Sequence, residues 1–181
     1  FAFDADAILR QVDARMAPAS YEMYRKLINI EPDGKRKEFV FYTVKQGEEK
    51  MVALFLDPPS ERGRSTLRLG ENLWLYIPNV GKPIRVTSLQ SVVGGVFNNS
   101  DILQLDFNTE YTASAAAEDD THWILDLKAR GAAVAYDRLK MWVDRASSTP
   151  SVIEAYAASG LLIKTLRYRD IKDFGNGIVR P

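Results

Sequence analysis

A strand without a polar face constrains the fold of this chain most. Residues 73–77 read Leu-Trp-Leu-Tyr-Ile, so apolar side chains point to both sides of the strand. One face of an antiparallel sheet is normally exposed to water, which makes apolar and polar residues alternate. Residues 50–56 form a second strand that is apolar on both faces. We therefore expect a second apolar layer over the sheet, and this layer is a helix, a loop or a ligand.

Short candidate strands separated by turn residues run through most of the chain. They follow one another from Ser20 to Thr87 and resume at Phe107, where residues 107–115 form one candidate. This spacing is typical of an antiparallel sheet, a sandwich or a barrel. We expect roughly ten strands in total, within the usual size of open sheets.

Two segments have the pattern of helices. Residues 4–17 predict an amphipathic helix that Asp4 caps and Pro18 ends. Its apolar positions follow the helical period and are Ala5, Ile8, Leu9, Val12 and Met16. Residues 88–106 interrupt the strand rhythm and predict a loop with short helices, with Ser100-Asp101 as a helix cap. We expect both segments to pack on the concave face of the sheet.

Composition excludes several functional classes. The 181 residues suffice for one domain spanning 1–181. Lys plus Arg and Asp plus Glu both number 24, so the basic excess typical of nucleic-acid binding is missing. With no cysteine and one histidine, the chain offers neither a thiolate nor a histidine-rich metal site, and we expect no cofactor. No apolar run is long enough for a membrane-spanning helix. The first residue is Phe1, which leaves an export signal or a lipid-attachment cysteine upstream as an expectation.

The candidate catalytic residues are weak. His122 follows an acidic turn, which is typical of a solvated histidine at the start of a strand, and the chain has no cysteine nucleophile and no G-x-S-x-G motif. Glu48-Glu49 and Asp119-Asp120 are adjacent pairs, and neighbouring residues on a strand point to opposite faces. The sequence therefore favours a protein that is not an enzyme, and a lipid hydrolase that uses His122 is only a distant alternative.

An aromatic cluster has two interpretations. It comprises Phe39, Phe41, Tyr42, Trp74 and Tyr76. These side chains either fill an ordinary core or line an apolar ligand cavity on a curved sheet. The residue pattern alone leaves both interpretations open.

Several segments, taken in order, resemble the LolA/LolB-like family of outer-membrane lipoprotein-sorting proteins. They are Leu54-Phe55-Leu56, Pro58-Pro59, Arg62-Gly63, Leu73-Trp74-Leu75-Tyr76-Ile77-Pro78, Arg85-Val86, Phe97 with Ser100-Asp101, and Tyr168-Arg169-Asp170-Ile171. The resemblance covers most of the chain after the first helix. It implies an α+β, mainly β, fold in which an unclosed, curved antiparallel β-barrel wraps around short helices.

The resemblance also implies a function in the bacterial cell envelope. The expected protein is exported to the periplasm, is sometimes lipid-anchored, and binds and transports a lipid or an acylated lipoprotein in a hydrophobic cavity. Its expected partners are an inner-membrane transporter and an outer-membrane acceptor. Each buried CH₂ group of an acyl chain contributes about 0.8 kcal/mol, so binding needs no catalytic residue. The alternative is a structural or scaffold lipoprotein whose core is filled.

The strand alternation predicts the walls and cover of this cavity. The cavity residues are Val52, Leu54, Leu56, Leu73, Leu75, Ile77, Trp123, Leu125, Leu127, Leu139, Met141 and Val143. The lid residues are Val93, Gly94, Gly95, Val96, Phe97, Ile102 and Leu103, with Gly94-Gly95 as a flexible joint. On strands 50–56 and 73–77 both faces are apolar, so alternation leaves the choice of face open there.

Overall fold

The computed structural model describes residues 3–87, 92, 97–103, 106–132 and 134–181. The chain divides into two compact units. The inserted unit is Ala19–Gln104, and the terminal unit combines Phe1–Pro18 with Leu105–Pro181. The assignment of residues 1–181 to one carrier-like domain stays a prediction.

The inserted unit contains a six-stranded antiparallel sheet in which each strand pairs with the next along the chain. Its strands are β1 (Ser20–Ile30), β2 (Arg36–Gln46), β3 (Lys50–Asp57), β4 (Ser65–Leu69), β5 (Asn72–Tyr76) and β6 (Ile84–Val86). A short 3₁₀ helix, Pro59–Glu61, connects β3 to β4, and helix α2 (Asn99–Ile102) follows the sheet. The two-sided apolar strands of the sequence are thus β3 and β5.

The terminal unit contains a five-stranded antiparallel sheet with the order β7-β8-β9-β10-β11. The strands are β7 (Tyr111–Glu118), β8 (His122–Ala129), β9 (Arg138–Asp144), β10 (Pro150–Tyr156) and β11 (Leu162–Arg167). Helices α1 (Ala5–Met16) and α3 (Phe107–Glu110) belong to this unit, as does the small hairpin of β12 (Lys172–Asp173) and β13 (Val179–Arg180). One buried cluster joins α1 to the inner faces of β7 to β10.

The predicted fold class is confirmed. Strands dominate, the helices are short and few, and the antiparallel sheets are not closed. The described residues form eleven strands in the two sheets and two in the small hairpin, close to the roughly ten expected.

The first helix forms where the sequence predicts it. The Asp4 carboxylate accepts a hydrogen bond from the Ala7 amide at 3.1 Å, which satisfies one of the free N–H groups at the start of α1. All five predicted apolar positions are buried in the cluster of the terminal unit. The 3.6-residue period alone was therefore enough to identify this face.

Two local predictions in the segment around α2 and α3 were wrong. Asn98, and not Ser100-Asp101, caps α2: its side chain accepts from the Asp101 amide at 3.2 Å, and Asp101 accepts from the Asn98 amide at 2.9 Å. The predicted strand at 107–115 begins instead with α3, and β7 starts at Tyr111. A residue distant in sequence, Asp13, accepts hydrogen bonds from the first turn of α3 and so stabilises this helix.

Asp13 joins α1 to the start of α3. Its two carboxylate oxygens accept from the backbone amides of Phe107 and Asn108 at 2.8 and 2.9 Å, and the side chain is buried. These amides belong to the first turn of a helix, which has no intrahelical partners for them. Asp13 thus fixes the position of α3 on α1.

We expect Asp13→Ala to lower the free energy of unfolding by about 1–3 kcal/mol, because a buried N–H group of Phe107 and a partly buried one of Asn108 lose their acceptor. Asp13→Asn keeps one acceptor oxygen and is the matched control, with a smaller loss expected. Urea denaturation followed by circular dichroism measures both. Equal stability of wild type and Asp13→Ala would show that other groups satisfy these amides.

Candidate functional site

One face of the six-stranded sheet carries a buried apolar cluster, and we call it the covered face. Its sheet residues are Phe39, Phe41, Met51, Ala53, Phe55 and Leu73, and Val92, Ile102 and Leu103 pack on them. The strand register places these sheet residues on one side of the sheet, because directly opposed residues share a face. The segment that follows β6 therefore supplies the second apolar layer of this unit.

An apolar pocket lies between the covered face and this second layer. The described residues that line it are Leu27, Phe39, Phe41, Phe55, Val92, Phe97 and Ile102, and its cavity volume is about 10 Å³. Phe41 and Phe55 meet edge to face with ring centroids 4.5 Å apart, and Phe39 meets Phe55 in the same way at 6.2 Å. These three rings form the floor of the pocket.

Two arginines flank this aromatic floor. The register forms a cross-strand row in which Arg25 lies beside Phe41, Phe41 beside Phe55, and Phe55 beside Arg64. The Arg25 guanidinium lies 5.8 Å from the centroid of Phe41, and that of Arg64 lies 5.8 Å from the centroid of Phe55. Arg25 also donates to the carbonyl of Ile102. Cationic groups thus border a pocket whose own lining is apolar.

The turn before β4 positions Arg64. The Gly63 amide donates to the Phe55 carbonyl at 3.0 Å, and the Phe55 amide donates to the Arg64 carbonyl at 2.9 Å. Gly63 has φ +85°, and a Cβ at this position would lie 3.1 Å from Pro78. A side chain here would be strained both by the backbone and by this contact, so glycine suits the turn.

The next row of the covered face is small and polar. Thr43 and Thr66 lie on either side of Ala53, and all three are fully buried. Within the part of the chain that the structure describes, neither threonine hydroxyl has a hydrogen-bond partner, and the same holds for Nε of Arg64. Buried polar groups in proteins normally form hydrogen bonds, so these three atoms are exceptions and could each bind a polar group of a ligand.

The predicted cavity residues of β3 and β5 are only partly on this face. Val52, Leu54 and Leu56 are half-buried and lie on the opposite face of β3 from Met51, Ala53 and Phe55. On β5, Leu73 is buried on the covered face; Leu75 shares that face but is half-buried, as is Ile77 beyond the strand. None of these six residues lines the apolar pocket.

The predicted cavity residues of β8 and β9 lie under α1. Leu125, Leu127, Leu139, Met141 and Val143 are buried in the cluster of the terminal unit, and Trp123 packs against it. This cluster includes the apolar face of α1. Alternation thus identified the inner face of these strands, and a helix covers that face.

The predicted lid falls partly outside the described residues. Val93, Gly94, Gly95 and Val96 are among the residues that are not described. Phe97 and Ile102 line the pocket, and Leu103 is buried in the same cluster. The Val92 amide donates to the Phe97 carbonyl at 2.7 Å, so the residues flanking 93–96 are joined by a hydrogen bond.

Sequence reasoning missed three of the seven described residues that line the pocket, namely Leu27, Phe55 and Val92. Phe97 and Ile102 were predicted lid residues, while Phe39 and Phe41 belonged to the aromatic cluster with two interpretations. The alternation of Phe39 and Phe41 on β2 was a usable signal for the covered face.

His122 is the first residue of β8 and its contacts are with the preceding turn. Its Nδ1 lies 2.8 Å from the Thr121 hydroxyl oxygen, and its backbone amide donates to the Asp119 carboxylate at 2.7 Å. Hydrogen bonds from the hydroxyl and the amide of Thr121, and from the amide of His122, lower the pKa of Asp119 to about 2. The Asp119 carboxylate thus acts as a hydrogen-bond acceptor that closes the turn between β7 and β8.

Two kinds of feature are absent from the described residues, a metal-binding group and a membrane-spanning helix. No group of three or more His, Asp or Glu side chains there is placed to hold a metal ion. No described helix combines the length and the apolar character needed to cross a membrane.

Comparison with known proteins supports the resemblance. A family model described as "Uncharacterized protein" matches residues 47–181, and no curated protein matches the chain. The structure of a LolA superfamily protein from Nitrosomonas europaea is similar, with a TM-score of 0.82 and 29% identity over 99% of this chain and 83% of that one. An outer membrane lipoprotein-sorting protein domain from Vibrio parahaemolyticus has a TM-score of 0.80 and 18% identity, covering 97% of this chain and 81% of the other.

A third solved structure agrees. A DUF1329 family protein from Desulfovibrio piger has a TM-score of 0.81 and 20% identity, with 97% of this chain and 81% of that chain covered. The two structures under 25% identity support the fold, and the Nitrosomonas protein adds the closer sequence likeness. The chain therefore belongs to the uncharacterized-protein family matched at residues 47–181, and its resemblance to LolA-like outer-membrane lipoprotein-sorting proteins is confirmed.

Proposed function

We propose that this protein binds an acyl chain of a lipid or of an acylated lipoprotein in the pocket of the inserted unit and transports it without catalysis. The observation that carries the proposal is the lining of the pocket: its described residues are all apolar, and three phenylalanine rings form its floor. Moving acyl CH₂ groups from water to such a lining contributes about 0.8 kcal/mol each.

The size of the pocket limits what it holds. The space that is free for a water-sized sphere is about 10 Å³, roughly what one water molecule needs. In this conformation the pocket is therefore too small for an acyl chain. Uptake of an acyl chain requires Phe97 and Ile102, which line the pocket opposite the sheet, to move away from it. In this proposal Phe97, Ile102 and Leu103 act as the described part of a lid.

The proposal also includes a cellular location and binding partners. The neighbour from Vibrio parahaemolyticus is an outer membrane lipoprotein-sorting protein domain. We propose by analogy an exported, periplasmic protein that receives cargo from an inner-membrane transporter and delivers it to an outer-membrane acceptor. The net charge of zero predicts no nucleic-acid partner and only weak non-specific attraction to anionic membranes.

A scaffold lipoprotein of the cell envelope is the second candidate. The packing of the terminal unit favours it, because Leu125, Met141 and Val143 lie fully buried beneath α1. In that case the pocket of the inserted unit is a packing defect with no ligand.

Native mass spectrometry of protein purified without detergent distinguishes the two candidates. We expect a lipid adduct on the folded protein, and saturable uptake of a fluorescent fatty acid by the delipidated protein. Repeated absence of both would favour the scaffold. Hydrolysis of a lipid ester that His122→Ala abolishes would contradict the non-catalytic part of the proposal.

A further inference from the structure

The guanidinium of Arg64 lies at the edge of the apolar pocket and is largely buried. Its carbon Cζ is 5.8 Å from the ring centroid of Phe55, which is part of the pocket floor, and the side chain is only 16% exposed. An arginine in such a place is costly unless its N–H groups are paired. We therefore consider which group could pair with this guanidinium beside the pocket.

The described partners leave the guanidinium incompletely paired. Nη1 lies 3.3 Å from the Glu61 carboxylate, longer than the roughly 2.7–2.9 Å of strong charge-assisted hydrogen bonds. Nε is buried without a partner. A guanidinium presents its N–H groups as a planar fork that suits two oxygens of one carboxylate or phosphate. Arg64 thus has capacity for an anion that Glu61 does not use.

Thr66, the next residue on the same face of β4, also has an unused hydrogen-bonding group. Thr66 lies two positions after Arg64, on the covered face of β4, and its buried hydroxyl has no partner among the described residues. Residues i and i+2 of a strand are about 6.6 Å apart. A head group with two or three oxygens at Arg64 therefore lies within reach of the Thr66 hydroxyl.

We infer that the ligand of this pocket is an amphiphile with an anionic head group, a carboxylate or a phosphate, which Arg64 binds. The acyl chain lies on the rings of Phe55, Phe41 and Phe39, whose adjacent centroids are 4.5 to 6.4 Å apart, and the head lies at the Arg64 end of this row. Glu61 holds the guanidinium in place when the pocket is empty and competes with the anion. The inference rests on the proposed acyl-chain binding and names the class of ligand.

Displacement of a neutral apolar fluorophore, N-phenyl-1-naphthylamine, tests the inference at pH 8. The competitors are palmitate, hexadecyl phosphate and methyl palmitate, which share a chain and differ in the charge of the head. We expect at least one anion to compete about tenfold or more better than the ester, because hydrogen bonds to charged groups are the strong ones. Arg64→Met should remove this preference and leave competition by the ester unchanged.

Two further variants sharpen the test. Glu61→Gln removes the competing carboxylate, so we expect it to tighten binding of the anions several-fold, a gain that partial unfolding cannot produce. Arg145→Met is the matched control, since the Arg145 guanidinium lies 5.2 Å from the centroid of Trp123 in the terminal unit. It should leave the preference intact.

The outcomes separate this inference from the proposed function. If no competitor displaces the fluorophore, the acyl-chain proposal fails as well. Equal competition by anions and ester in the wild type would overturn the anionic head alone. A loss of anion and ester binding by the same factor in Arg64→Met would also overturn it, because Arg64 would then support the shape of the pocket.

Discussion

Truncation of Leu125 to alanine is expected to lower the free energy of unfolding by about 2–5 kcal/mol and to leave acyl-chain binding unchanged. Leu125 is 0% exposed and shares its cluster with Leu9 and Val12 of α1. The lost side chain leaves a cavity that surrounding residues fill only in part. Denaturant titration measures the stability, and fluorophore uptake measures the binding. The variant tests whether this strand forms core or ligand cavity.

Leu125→Met is the control for this truncation, because a swap that conserves volume costs less than about 1.5 kcal/mol. The two variants together separate a loss of volume from any change at the site. A variant Leu125→Ala that is as stable as the wild type but binds no acyl chain would reverse the conclusion. The inner face of β8 would then meet ligand, as the strand alternation first predicted.

Replacing Leu27 by tryptophan is expected to weaken acyl-chain binding about tenfold or more. Leu27 is half-buried on β1 and lines the pocket, so a larger side chain there occupies space that the ligand needs. Exclusion of two CH₂ groups, at about 0.8 kcal/mol each, already corresponds to about a tenfold weaker affinity. Fluorophore uptake and native mass spectrometry measure this loss.

The matched control is Leu54→Trp on the opposite face of the same sheet. Leu54 is also half-buried but does not line the pocket, so its enlargement should leave acyl-chain affinity as it is. Thermal unfolding of both variants shows whether overpacking disturbs the sheet. If Leu54→Trp abolishes binding while Leu27→Trp does not, the ligand lies on the other face of β3.

The fold was largely predictable because its signals are local. The helical period of Ala5, Ile8, Leu9, Val12 and Met16 gave both the position and the buried face of α1. On β8 and β9 the apolar and polar residues alternate, so the buried set followed directly from the period of a strand. Turn residues marked where strands end.

The face of β3 was not predictable from its own residues. Met51, Ala53 and Phe55 are apolar, and so are Val52, Leu54 and Leu56 on the other side. What distinguishes them is the layer of Val92, Ile102 and Leu103, which packs on one face. That layer is distant in sequence from β3. The residues of β3 are apolar on both faces, so their pattern does not show which face the layer covers.

Contacts between distant residues also decided the details of the site. Asp13 accepts hydrogen bonds from the amides of Phe107 and Asn108 in the first turn of α3. Because Asp13 is distant in sequence, the residue pattern at 107–115 alone could not predict this helix. The pocket likewise combines Leu27 of β1 with Phe97 and Ile102. The sequence alone does not show which of these residues meet, because this depends on the register of the strands.

The interrupted terminal unit imposes an order on biosynthesis. Helix α1 is made before the inserted unit, yet the strands that bury its apolar face follow only after the whole inserted unit has been synthesised. The inserted unit, in contrast, pairs each strand with the next and completes its sheet from local hairpins. The nascent chain therefore carries α1 without the strands that bury its apolar face until β7 to β10 are available.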